Sequence, residues 1–139
     1  MAIGMLWNAS LVINSVDLST RVRSITVTRN NEDLDATAMG SVARTHYPGL
    51  RDDSMEVEFF QDYAAANVEA TIGGLIGNGT GVTIVTKPDG GAVAVTNPTY
   101  TMTGFPLTHQ PISGTVGDMN MTTVTLVPAA GSSIVKAIV

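Results

Sequence analysis

Between residues 22 and 30 the chain alternates with period two. Arg23, Ile25, Val27 and Arg29 fall on one side, and Val22, Ser24, Thr26, Thr28 and Asn30 on the other. This is the period of a half-covered β-strand, one face against a core and the other in water. Residues 54–61 alternate in the same way, Met55, Val57 and Phe59 opposite Glu56, Glu58 and Phe60. Two glutamates on one strand face demand solvent, which makes Met55, Val57 and Phe59 the predicted core positions. Further Thr- and Val-rich strands are predicted over 11–13, 81–86, 98–107, 119–127 and 133–139. Residues 92–96 are read as the hairpin partner of 81–86 across the Lys87-Pro88-Asp89-Gly90-Gly91 turn.

One segment carries helical spacing. Val68, Ile72 and Leu75 recur at intervals of four and three, with Asp62 or Asn67 as the cap and Gly73-Gly74 or Gly77 as the end. So short and Gly-rich a helix is unstable alone and must pack on the sheet. Val16-Asp17-Leu18-Ser19 reads as a turn in which Asp17 or Ser19 bonds nearby backbone N–H groups. Residues 1–9, with Leu6 and Trp7, lack a period and read as an arm. Residues 31–53 also lack a sustained period. Leu34, Ala36, Ala38 and Met39 carry a strand toward a hairpin tip, and 44–53 read as loop with Pro48-Gly49 as its surest turn. A connection of roughly 20 residues without regular structure far exceeds the usual 4–6 and is commonly functional. Residues 134–139 are apolar apart from Lys136, as in an edge strand that something covers. The expected architecture is one domain over 1–139, mainly β: a β-sandwich or barrel of about seven to eight antiparallel strands with one flanking helix.

Composition adds the idea of self-association. Charged residues make up 14% of the 139, against about 25% in ordinary domains, and seven Lys and Arg against twelve Asp and Glu leave a net charge of −5. The surface is therefore built largely from Thr, Ser, Asn, Gly and Ala, a poor guard against self-association, and this points to a subunit covered by copies of itself, the alternative on composition alone being a weakly charged monomeric β-domain. Scattered basic residues disfavour nucleic-acid binding. The absence of cysteine excludes disulfides, thiol nucleophiles and Cys-ligated metals. With neither a signal-peptide pattern nor 18 consecutive apolar residues, the chain is expected to be soluble and made inside a cell, without a membrane partner.

Candidate chemistry is sparse. The run from Gly73 to Gly81 lacks the Gly-Lys-Ser/Thr ending of a phosphate-binding loop and opens no helix, so it reads as a turn. His46 and His109 are far apart with no recognisable third ligand, and His46 is expected to bond locally or touch another subunit. Asp33, Asp35, Asp52, Asp53, Glu56 and Glu58 match neither a glycosidase pair nor a calcium loop and are expected to be solvated surface. No Gly-x-Ser-x-Gly elbow is present, and the sequons at Asn78 and Asn120 are idle without secretion. No enzymatic activity, metal or cofactor is expected.

The long connection carries a resemblance. Val27-Thr28-Arg29, Leu34-Asp35-Ala36-Thr37-Ala38-Met39-Gly40, Ala43-Arg44-Thr45-His46-Tyr47-Pro48-Gly49-Leu50-Arg51-Asp52 and Met55-Glu56-Val57-Glu58-Phe59-Phe60-Gln61-Asp62-Tyr63 run in one order. Together with Asn97-Pro98-Thr99-Tyr100 and Ser113-Gly114-Thr115-Val116-Gly117-Asp118, they resemble the tail tube proteins of long non-contractile-tailed bacteriophages, particularly those of actinobacteria. The resemblance implies a virion protein assembled in the host cytoplasm as hexameric rings. These would stack head to tail around a tape measure protein, end on tail terminator and distal tail or baseplate proteins, and let DNA pass without specific binding. Four strands from each of six subunits would close a barrel roughly 48 Å across at its backbone, wide enough for a duplex. The long connection is then the contact arm, with Arg44, His46, Tyr47, Arg51 and Asp52 as subunit contacts, since Arg and Tyr are favoured at binding hot spots. The polar strand faces, Ser24, Thr26, Thr28, Glu56 and Glu58, are expected to line the lumen, with Phe60 at a subunit seam. Other classes are a single-ring tail protein of the same fold (terminator or distal tail), a secretion-system tube protein, and a small enzyme or ligand-binding barrel.

Overall fold

The computed structural model describes residues 5–138. Its strands are β1 (Ser10–Ile13), β2 (Val16–Asp17), β3 (Val22–Thr28), β4 (Asn31–Asp35), β5 (His46–Arg51), β6 (Ser54–Phe60), β7 (Val82–Lys87), β8 (Thr99–Thr108), β9 (Met121–Pro128) and β10 (Val135–Ala137). One α-helix, α1 (Val68–Ile72), follows β6, and none of the described helices is long and apolar enough to cross a membrane. Eight strands form one antiparallel sheet in the order β2-β1-β7-β8-β9-β6-β3, with β10 beside β8, while β4 and β5 pair only with each other.

The ten-residue β8 joins the two halves of the sheet. One of its edges pairs with β7 over Tyr100–Gly104. The opposite edge pairs first with β10, over Thr99–Thr101, and then with β9, from Gly104 to Thr108. Such a division coils the sheet on itself. Leu11 and Ile13 of β1, Ile84 of β7 and Met102 of β8 thus share one core with Met55, Val57 and Phe59 of β6 and Val124 and Leu126 of β9. Met55, Val57 and Phe59 are fully buried, as their alternation predicts.

Val68, Ile72 and Leu75 bury the apolar side of the helical segment, also as predicted. The helix proper is only five residues long, and Gly73-Gly74 continues it as a 3-10 turn through Leu75 instead of ending it. Asn67 occupies the cap position without a side-chain capping bond. Asp62 serves elsewhere: it accepts the Ala64 N–H at 2.9 Å and pairs with Arg21 at 2.6 Å. The turn expected over 16–19 lies two residues earlier: Asn14 and Ser15 make the β1–β2 turn with positive φ, and Val16–Asp17 pair with β1, but the expected bonds to nearby backbone N–H groups form. Asp17 accepts the Ser19 N–H, and the Ser19 hydroxyl accepts the Leu11 N–H, both at 2.9 Å.

The structure corrects four expectations. Arg23 does not share a face with Ile25 and Val27, because β3 carries a bulge: Val22 pairs with Phe59 and Ser24 with Glu58, leaving Arg23 as the extra residue. Val22 is thereby turned toward the core and Arg23 toward the polar side. Residues 31–53 are not irregular. Most of them build the β4–β5 hairpin, and Pro48-Gly49 lies inside β5, opposite Asp33, at a register shift. Residues 92–96 are not a strand beside β7; they hold only an Ala94–Asn97 bridge, while β7 pairs with β1 and β8. Asp53 is buried and not part of a solvated acidic surface. Of the expected N-terminal arm, residues 1–4 lie outside the described residues. Leu6 and Trp7 are exposed, and Asn8 bridges to Asp89.

Candidate functional site

The outer face of β3, β6 and β9 is one continuous polar surface. Cross-strand register places Thr26, Glu56 and Thr125 in one row and Ser24, Glu58 and Thr123 in the next. The reverse face of β6 and β9 is the core, so each strand is apolar behind and hydroxyl- or carboxylate-bearing in front. The predicted polar residues Ser24, Thr26, Thr28, Glu56 and Glu58 are therefore brought together on one face. Sequence reasoning missed Thr123 and Thr125, although their alternation with Val124 and Leu126 carries the same signal, and it missed Arg23. The bulge sets Arg23 beside Glu58 at 3.3 Å, and the Ser24 hydroxyl donates to the same carboxylate at 3.5 Å. One cation thus offsets one of the two glutamates.

Beside the free edge of β3 runs an open groove of about 320 Å³, whose lining includes Leu6, Ile25, Val27 and Tyr100 together with Arg29 and Lys87. Because β3 ends the sheet order, its outward N–H and C=O groups form an unpaired edge.

The hairpin of β4 and β5 projects from the end of the sheet where Thr28 pairs with Ser54. Every residue from 31 to 52 is exposed except Gly49, which is half-buried. Internal polar bonds keep the arm's shape. His46 Nδ1 lies 2.8 Å from Asp33, Arg44 pairs with Asp35 at 2.5 Å, and the Thr37 hydroxyl accepts the Thr45 N–H at 2.8 Å. The Thr37 hydroxyl and N–H, then Arg44, hold the Asp35 carboxyl below its ordinary pKa. Three of the five predicted contact residues, Arg44, His46 and Arg51, thus already have partners within the chain. Tyr47 and Asp52 are exposed, as are Leu34, Met39, Val42 and Leu50.

Asp53 fixes the root of the arm. Its Oδ1 accepts the Asn30 N–H at 3.0 Å and Arg51 Nε at 3.1 Å; its Oδ2 accepts Arg51 Nη2 at 2.6 Å and the Ile134 N–H at 2.8 Å. Burial alone would raise this carboxyl, but the Ile134 and Asn30 amides and Arg51 outweigh it and hold the pKa below the ordinary value.

At the opposite end of β6, where Phe60 pairs with Met121, a second apolar surface is displayed. Ile112, Val116 and Met119 of the 109–120 connection are exposed there. Phe60, half-buried, borders an open depression with Arg23, Met119 and Met121. Buried His109 sits close by, its Nε2 3.4 Å from Glu69, remote in the fold from His46 on the arm. The chain exposes 8716 Å² in all, whereas a compact monomer of 14.5 kDa exposes about 6,900 Å². Projecting apolar elements at both ends of one sheet account for surface of this kind.

No protein-family model matches the sequence, and comparison with curated proteins finds no match. Solved structures do match the fold. A chain in the virion of a native gene transfer agent particle aligns with a TM-score of 0.71 at 13% identity, over 92% of this chain and 95% of that one. A chain in the PVC sheath/tube terminator of an extracellular contractile injection system, in its extended state, gives 0.73 at 10% identity, over 97% and 96%. A chain in the tail of an empty gene transfer agent particle, computed by helical refinement with C6 symmetry, gives 0.63 at 14% identity, over 83% and 82%. At such identities the common property is the fold. It spans both a gene transfer agent and a contractile injection system, so this chain has a tail-tube-like fold that is not confined to the long non-contractile class.

Proposed function

We propose that the chain is a structural, non-enzymatic subunit of a hollow tail tube, built as rings of six stacked head to tail in a phage-type virion. The observation that carries this reading is the polar face across β3, β6 and β9, backed along its length by the core. With the adjoining β8 it makes a four-stranded unit. Six such units close a barrel of roughly 24 strands, and the polar side then faces the bore. Ser24, Thr26, Thr28, Glu56 and Glu58 are assigned to that lumen. The Arg23–Glu58 pair keeps the wall only mildly acidic, a surface that neither traps a passing duplex nor strongly excludes it. The unpaired β3 edge and the projecting hairpin supply contacts to neighbouring subunits through Arg44, His46, Tyr47, Arg51 and Asp52. Assembly in the host cytoplasm around a tape measure protein, between terminator and distal tail or baseplate proteins, completes the reading. C6 symmetry in one matched tail supports the ring number. The resemblance of residues 27–63 supports the long non-contractile class.

A second reading, a single-ring terminator at which growth stops, draws support from the match to a chain in a sheath/tube terminator. Electron microscopy of the purified protein separates the two: open-ended tubes of variable length support the tube subunit, and isolated rings support the terminator. A strictly monomeric species at tens of micromolar, even with preformed tube ends added as seeds, would overturn both. Within tubes, Glu56→Lys with Glu58→Lys adds about 24 charge units per ring of six and should slow genome ejection while leaving assembly intact. Both side chains on the outer wall, or ejection at the normal rate, would remove them from the lumen.

A further inference from the structure

We infer that Asp53 fastens the hairpin arm and the C-terminal strand into one mechanical unit, so that moving the arm loosens or tightens β10. The buried carboxylate is shared by three stretches of chain. Asn30 precedes the arm, Arg51 closes it, and Ile134 leads into β10, 81 residues beyond Asp53. A second bond, from the Asp52 N–H to the Asn30 carbonyl at 2.8 Å, clamps the two arms of the hairpin just outside this point. Among the charged groups of the described residues, only Arg51 pairs with Asp53.

The strand on the far side of the link is weakly held by other means. β10 is three residues long, its residues are all exposed, and among the described residues it pairs only with Thr99–Thr101 of β8. Ile134, in contrast, is buried in the core, and its N–H is spent on Asp53. Arg51 is itself an exposed arm residue whose side-chain bonds all go to Asp53. Pulling Arg51 away would leave a buried carboxylate with two amide donors and no counter-charge, an arrangement that draws in water and weakens the Ile134 bond. The coupling therefore runs from the exposed hairpin to a strand distant in sequence, through one side chain. It is a property of the single chain; its use, reporting that the arm has docked on a neighbour, rests on the tube reading.

Hydrogen exchange on the unassembled full-length subunit tests it. In Arg51→Ala, the amides of residues 134–137 should exchange about tenfold faster than in the parent, together with Asn30, while core amides such as Val57 stay unchanged. Arg51→Lys should restore much of the protection. Asp53→Asn should accelerate the same amides, and adding Arg51→Ala to it should change them no further. Acceleration confined to residues 30–52, with 134–137 within about twofold of the parent, would overturn the coupling. The readout needs no polymer, so a failure to form tubes leaves this result intact and strikes only the tube reading.

Discussion

Replacing Gly104 by alanine should be among the most disruptive single-methyl changes available in this chain. A Cβ at this position lies 2.2 Å from the Val127 carbonyl oxygen and 3.1 Å from the Met102 methyl. Val127 belongs to β9, which has β8 on one side and β6 on the other, so its backbone cannot rotate away as a side chain would. Relief requires β8 and β9 to separate by about 1 Å where β8 passes from β10 to β9, which also disturbs the Ala129 N–H bond to Thr103. Overpacking of this kind costs about 3 kcal/mol, and the reduced freedom of the unfolded chain returns about 0.7 kcal/mol, leaving about 2 kcal/mol. With an unfolding entropy of about 290 cal/mol/K for a chain of this length, Tm should fall by about 7 °C. Gly74→Ala is the matched control. Its Cβ meets nothing within 4 Å, and Tm should stay within about 2 °C. Thermal melts of both variants, followed by far-ultraviolet circular dichroism under non-assembling conditions, decide the matter. A Gly104→Ala variant melting at or above the parent would refute the packing described for the β8 changeover.

Arg44→Ala combined with Tyr47→Ala should leave Tm within about 2 °C, because both side chains are exposed, yet abolish polymers in the microscope; undiminished tube yield would remove the pair from the assembly surface. Acid should weaken the fold: Asp17, Asp35, Asp53 and Asp62 all have carboxyls held below their ordinary value. A carboxyl depressed by folding contributes stability that is complete above its unfolded pKa of about 3.9 and is lost as pH falls through the lower folded value. Tm should thus be flat from pH 7 to about 5 and fall below about 4, and Asp53→Asn should shrink that acid-side loss; an unchanged acid slope in the variant would deny Asp53 its share.

Period-two alternation made β3, β6 and most of β9 legible, because a strand with one buried face must repeat its apolar residues every second position. The same rule, extended one step upstream, reaches Asp53, which has the parity of Met55, Val57 and Phe59 and is buried like them. A carboxylate at the end of an apolar series reads as surface unless its donors are known, and two of those donors are backbone amides that no side-chain pattern reveals. Arg23 was misplaced for a related reason: one bulge reverses the facing of everything before it, and neither Arg23 nor Ser24 advertises the extra residue. Of the β4–β5 hairpin only the outgoing strand toward the tip was legible; both faces of β5 meet water, which leaves its polar and apolar positions free of any period, and Pro48-Gly49 mimics a turn inside it. Residues 92–96 look β-prone, but β7 has one edge on β1 and the other on β8. The polar face was readable from single strands; that its rows align across three of them required the register.

The two displays of apolar surface stand at opposite ends of β6, about 20 Å apart, and they are unlike: a hairpin at one, a loop at the other. In a stack of the proposed kind, one terminus presents six free hairpins and the other six vacant loop surfaces. An incoming subunit meets a different encounter at each, so elongation rates at the two termini need not be equal, and a capping protein suited to one has no purchase on the other. Nothing in such a contact signals when to stop, because each added layer recreates the surface it has just covered. Length must then come from a ruler outside the subunit.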